Sequence, residues 1–157
     1  MAGLEDLYRE IILDHYRSPR NKGELESPPA TKVEGYNPLC GDEIVLYLIV
    51  DGDTVADVKI GGQGCSISQS SASMMSAAIK GKSVAEVRAL VRAFKAMMDI
   101  HESRLEGEGE ESEQAAEPEV KLGDLEALQG VVKFPVRIKC ATLSWNTLTQ
   151  ALDETGA

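Results

Sequence analysis

The sequence predicts an α+β fold: a small antiparallel sheet of about three strands, with helices packed on one face. Three observations predict it. An apolar stripe at helical spacing opens the chain, a polar turn joins two apolar runs near the middle, and amphipathic segments fill the second half.

Taken in order, Leu4, Leu7, Tyr8, Ile11 and His15 recur every three or four residues, and Ile12 widens their stripe into a helix face. His15 is explained by that stripe as an interface residue, and His101 reads as a surface residue. Ser18-Pro19 stops this helix, because a residue preceding proline is pushed out of the α region. Residues 24–39 hold Pro28, Pro29, Gly35 and Pro38 and read as an extended loop. Residues 44–50 form a dense apolar run, Asp51-Gly52-Asp53 supplies turn chemistry, and residues 55–60 alternate, which together predict a β-hairpin. A third short strand is expected near residues 63–67. Residues 67–79, rich in Ser, Ala and Met, suit a helix packed closely against a neighbour, and Gly81 ends it. Ser83-Val84-Ala85-Glu86 is a capping box, opening a helix with Val84, Val87, Leu90, Val91 and Phe94 on one face. A short helix is expected over 122–128. Pro135 precedes a final amphipathic helix carrying Leu143, Leu148, Ala151 and Leu152.

At 157 residues the chain reads as a single domain, 1–157, with an acidic loop insertion at about 100–125. Within it, residues 106–119 hold seven glutamates and no Lys or Arg, the pattern of a solvated surface loop. A net charge of −10 argues against a nucleic-acid partner, which calls for a basic face. No apolar stretch approaches the roughly 20 residues that span a bilayer, so no membrane partner is expected. No basic segment followed by an apolar run opens the chain, so no secretory signal is expected. An odd count of three cysteines then fits a reducing, cytoplasmic setting.

Those cysteines carry the chemistry. Cys40 follows Pro38 in a loop, and Gly41 permits a tight turn that can bring Asp42 back toward the same point. Cys65 follows three glycines and opens a predicted helix, whose unpaired N–H groups favour a thiolate. Cys140 lies near the start of the last helix, with Arg137 three residues earlier. Three thiolates and one carboxylate make the ligand set of a tetrahedral Zn²⁺ site. Without a cation, crowding these four groups would drive proton uptake, and Arg137 and Lys139 can offset part of the charge that a divalent ion leaves. Each cysteine alone reads equally as a small buried apolar residue, and their spacing matches no zinc-finger pattern.

The segments Asn37-Pro38-Leu39-Cys40-Gly41-Asp42, Gly64-Cys65-Ser66-Ile67-Ser68-Gln69-Ser70-Ser71-Ala72-Ser73 and Lys139-Cys140-Ala141-Thr142-Leu143 together resemble the IscU/NifU-like family of iron–sulfur cluster assembly proteins. The likeness runs from the first helix to the last and implies a fold of the SufE/NifU-like type. Within the family the chain is similar to the SufU branch. Lys139 stands where scaffold members have histidine, an insertion separates the second and third cysteines, and residues 133–145 have that branch's pattern. The resemblance implies Zn²⁺ held by Cys40, Asp42, Cys65 and Cys140, and a SufS-type pyridoxal-phosphate cysteine desulfurase as partner. A histidine of that enzyme replaces Cys40 on the metal, and Cys40 then takes the persulfide sulfur and passes it toward a downstream iron–sulfur scaffold. Arg137 would partner the freed thiolate or Asp42. The alternatives are a scaffold that assembles an iron–sulfur cluster of the 2Fe–2S kind on the same cysteines, and a purely structural zinc domain. Lys139 weighs against the scaffold, because an ammonium cannot replace imidazole as a ligand.

Overall fold

The computed structural model describes residues 3–26, 30–38, 41–105, 123–133 and 135–155. Helix α1 (Gly3–Arg17) ends two residues before Pro19, as the sequence requires. Three antiparallel strands follow, β1 (Thr31–Asn37), β2 (Asp42–Asp51) and β3 (Thr54–Gln63), in the sheet order β1-β2-β3. The expected β2–β3 hairpin is present, and Gly52 takes the positive φ of +67° that its turn needs.

The third strand is not at 63–67. It is β1, inside the segment expected to be loop. Its inward positions are Val33, Gly35 and Asn37, so the apolar alternation that marks a half-buried strand is missing from the sequence. Gly35 is there because α4 (Pro135–Thr155) crosses close by: a Cβ would run into Thr147 Oγ1 and lie 3.3 Å from Leu143. Residues 63–67 instead turn the chain from the end of β3 into α2 (Ser66–Ile79).

The sheet's inner face presents Val33, Ile44, Leu46, Leu48, Val58 and Ile60 to the helices. Serine is used in α2 as a small residue with a bonded hydroxyl. Ser71 donates to the Ala141 carbonyl at 2.6 Å and accepts from Trp145 Nε1 at 3.1 Å, which draws α2 and α4 together. The capping box forms as predicted ahead of α3 (Val84–Leu105): Ser83 N–H donates to Glu86 Oε1 at 3.0 Å, and Glu86 N–H donates to Ser83 Oγ at 3.1 Å. Its apolar face is buried, with Phe94 stacked on Trp145 at 4.6 Å between ring centroids.

Helix α3 continues to Leu105, several residues into the stretch expected as loop. The acidic tract 106–119 lies outside the described residues. The short helix expected over 122–128 is a 3-10 helix at Gly123–Lys133, which buries Leu125, Leu128 and Val131. His15 fixes α1 in place: it is 2% exposed, shares a 2.8 Å hydrogen bond with Ser73 Oγ on α2, and meets Asp124 Oδ2 at 3.0 Å. Among the described residues, no helix is long and apolar enough to cross a membrane.

Candidate metal centre

Asp42 is the first residue of β2, cross-strand from Asn37, the last residue of β1. The intervening turn is closed by a hydrogen bond from Gly41 N–H to the Asn37 carbonyl at 2.9 Å, and Gly41 adopts a φ of +72° that a side chain would strain. The tight turn expected at Gly41 is therefore present. Cys40 itself lies outside the described residues, between Pro38 and Gly41 in the chain.

Cys65 is the N-cap of α2. Its Sγ accepts from Ser68 N–H at 3.4 Å, and its own N–H donates to Asp42 Oδ1 at 3.0 Å. Open N–H groups of a helix start are thus aimed at one sulfur and one carboxylate. Gly64 makes the approach possible. A Cβ there would come within 2.6 Å of both Asp42 Oδ1 and Ser68 Oγ.

Cys140 arrives from α4. It is buried in the second turn rather than the first, so it does not share the helix-start setting expected for it. The amide of Asn37 lies beside it, with Nδ2 3.8 Å from Cys140 Sγ and 3.5 Å from Asp42 Oδ2. The ligand atoms of Asp42, Cys65 and Cys140 fall within 4.8 Å of one another.

Asp42 is 0% exposed. Burial pushes its carboxyl pKa up, but the Cys65 N–H, the Cys140 and Cys65 thiols and the Ser68 hydroxyl outweigh that and hold it below the usual aspartate value. The group stays a buried, anionic oxygen donor.

Two sulfurs and a carboxylate oxygen are a donor set that Zn²⁺ accepts, and the edge of a zinc–thiolate tetrahedron is about 3.8 Å for bonds of ~2.3 Å. Modest closing of the three side chains from their present separation would reach it, and a fourth position would fall to another ligand. Arg137 lies on the turn of α4 before Cys140, at the surface, as does Lys139. Three of the four residues expected around a metal are thus gathered, from β2, α2 and α4.

In the sequence, Asn37 and Ser68 stand out only as parts of longer motifs. Nothing in the linear order pairs Asn37 with Cys140, 103 residues away. The signal that was available was Gly64, a glycine directly before a cysteine at a strand-to-helix junction.

The family model of the NifU-like N terminal domain matches residues 7–141. The chain is 48% identical over 151 residues to the zinc-dependent sulfurtransferase SufU of Bacillus subtilis, covering 96% of this chain and 92% of that one. It is 39% identical over 152 residues to the iron–sulfur cluster assembly scaffold protein IscU of Streptococcus pyogenes, covering 97% and 86%. Among solved structures it resembles a protein from Fervidobacterium islandicum described as an iron–sulfur cluster assembly scaffold for the SUF system. The TM-score is 0.75 at 34% identity, over 96% of this chain and 99% of that one.

Proposed function

The chain belongs to the NifU-like N-terminal domain family, and on that premise we propose that it is an iron–sulfur cluster biogenesis protein that accepts sulfur on Cys40 at a zinc centre. Its ligands are Cys40, Asp42, Cys65 and Cys140. The observation that carries this is the convergence of Asp42, Cys65 and Cys140 within 4.8 Å from three separate elements. The naming of the Bacillus relative as a zinc-dependent sulfurtransferase supports it.

Held by these residues, Zn²⁺ would keep the cysteine sulfurs deprotonated and lower their reactivity. The chain's own groups do the rest. Asp42 is held ionised and aimed by the Cys65 N–H. Cys65 supplies its sulfur from the N-cap of α2 and Cys140 from the second turn of α4. Cys40, two residues before Asp42 in the sequence, is the acceptor in this reading.

The sulfur donor is a persulfide on a SufS-type pyridoxal-phosphate cysteine desulfurase. The Cys40 thiolate attacks the outer sulfur of that persulfide. A new S–S bond forms on Cys40, the donor's S–S bond breaks, and the electron pair departs on the desulfurase thiolate, with no net oxidation. Arg137, exposed and one turn before Cys140, would be the electrostatic partner of the freed Cys40 thiolate or of Asp42. A downstream iron–sulfur scaffold receives the sulfur.

The test is transfer from the desulfurase with L-cysteine. The wild-type chain should gain one sulfur on the Cys40 peptide by mass spectrometry, and Cys40→Ala should gain none; full transfer by the variant would remove Cys40 as acceptor. A second reading, a scaffold for a 2Fe–2S cluster, is favoured by the naming of the Streptococcus relative. It predicts a brown, iron-containing protein, where the first predicts a colourless one with about one zinc per chain.

A further inference from the structure

Asn37 is a neutral residue buried among groups that carry the site's charge. It is 6% exposed, at the end of β1 and cross-strand from Asp42. Its backbone carbonyl accepts the Gly41 N–H at 2.9 Å, closing the turn that contains Cys40 in the sequence. Its side-chain Nδ2 lies 3.5 Å from Asp42 Oδ2 and 3.8 Å from Cys140 Sγ.

An amide nitrogen carries two hydrogens, so one group can serve an oxygen and a sulfur together. Turned the other way, the amide oxygen would face the carboxylate oxygen lone pair to lone pair. The orientation is therefore fixed by its neighbours. Both contacts are long for hydrogen bonds, which leaves the amide room to follow the carboxylate and the sulfur as they close on an ion.

We propose that Asn37 is a positioning residue of the metal centre: one side chain aims Asp42 and Cys140, while its backbone carbonyl holds Gly41, next to Asp42. The proposal deepens the zinc reading above and depends on it for the identity of the ion, but the placement of the amide is a property of the metal-free chain as well. Its consequence is mechanical. When Cys40 leaves to take sulfur, the carboxylate and the Cys140 sulfur stay where they were, because their alignment does not depend on Cys40. Polar groups behind metal ligands characteristically act this way, orienting the ligand and tempering how strongly it donates.

Two measurements on the full chain test it. In metal-free protein, the Asn37 side-chain amide resonances should exchange slowly with solvent and should shift in both Asp42→Ala and Cys140→Ala. Exchange as fast as a surface asparagine, or no response to either change, would overturn the proposal. With Zn²⁺ alone, titrated against a competing chelator, Asn37→Ala and the near-isosteric Asn37→Leu should bind about ten- to a hundred-fold more weakly while still saturating at one ion. With Co²⁺ alone, the thiolate-to-metal charge-transfer band should move to lower energy in both variants, because an unbonded thiolate donates more readily. A purely structural role would lower the melting temperature and leave that band in place. Unchanged zinc affinity and an unmoved band in folded variants would overturn the proposal. A wild-type chain that binds no Zn²⁺ would instead overturn the zinc reading, and the amide resonances would still decide the role of Asn37.

Discussion

A glycine, more than any charged residue, sets how tightly the site can close. With only hydrogen on its Cα, Gly64 lets Asp42 Oδ1 reach the Cys65 N–H at 3.0 Å, where a methyl group would stand 2.6 Å from that oxygen and from Ser68 Oγ. Gly64→Ala should therefore push the carboxylate off the α2 amino terminus and weaken zinc binding at least ten-fold, the order seen when a ligand loses its orienting partner. Chelator competition reads this directly, and an affinity within two-fold of wild type would refute it. Asp42→Ala, removing an oxygen donor outright, should weaken binding further and slow sulfur uptake. The residue types of the site were legible in the sequence, since three cysteines and an aspartate admit few chemistries. Their supports were not. Asn37 and Ser68 act through contacts that only the folded chain creates, and Cys140 sits in the second turn of α4 rather than in the helix-start setting expected for it.

Among the elements, those with a strong local signal matched expectation and those defined by their neighbours did not. The capping box of α3 is an autonomous signal, and it is present with both reciprocal bonds. Ser83→Ala should cost about 1 kcal/mol of stability, measurable by denaturant unfolding. The Glu86 half of the box depends on pH. Bonds from the Ser83 N–H and hydroxyl hold the Glu86 carboxyl below its ordinary value, outweighing the upward push of desolvation. Its contribution is thus complete above the unfolded glutamate pKa of about 4.3 and is lost as pH falls through the lower folded value. The stability gap between wild type and Glu86→Ala should close on acidification through that window. A gap that persists in strong acid would show that the carboxylate is not what caps the helix. Strand β1 gave no comparable signal. Gly35 is dictated by the closeness of α4 and Asn37 by the site, so tertiary demands erased the strand pattern. The 3-10 helix at Gly123–Lys133 is placed from outside too, with Asp124 against the buried His15 of α1.

At the scale of the molecule, a three-stranded sheet and its helices bring distant segments to one end, where β1 meets β2, α2 begins and α4 passes. Metal binding should then be worth folding free energy. Stripping the ion with a chelator should lower the melting temperature, and restoring Zn²⁺ should raise it again in a concentration-dependent way. A melting temperature indifferent to the ion would mean that the three ligands do not meet around it. The acidic tract 106–119 is assigned no part in this. Its deletion should leave zinc stoichiometry and the melting temperature of the zinc form unchanged. The fold class and the antiparallel hairpin could be read from periodicity, but the meeting of the ligands could not. The convergence of Asp42, Cys65 and Cys140 is a product of topology, which spacing alone does not encode. X-ray absorption at the zinc edge of the purified chain tests it most directly. Three sulfur neighbours and one oxygen around a single zinc are the predicted result; zinc surrounded by oxygen and nitrogen alone, or iron in its place, would contradict it.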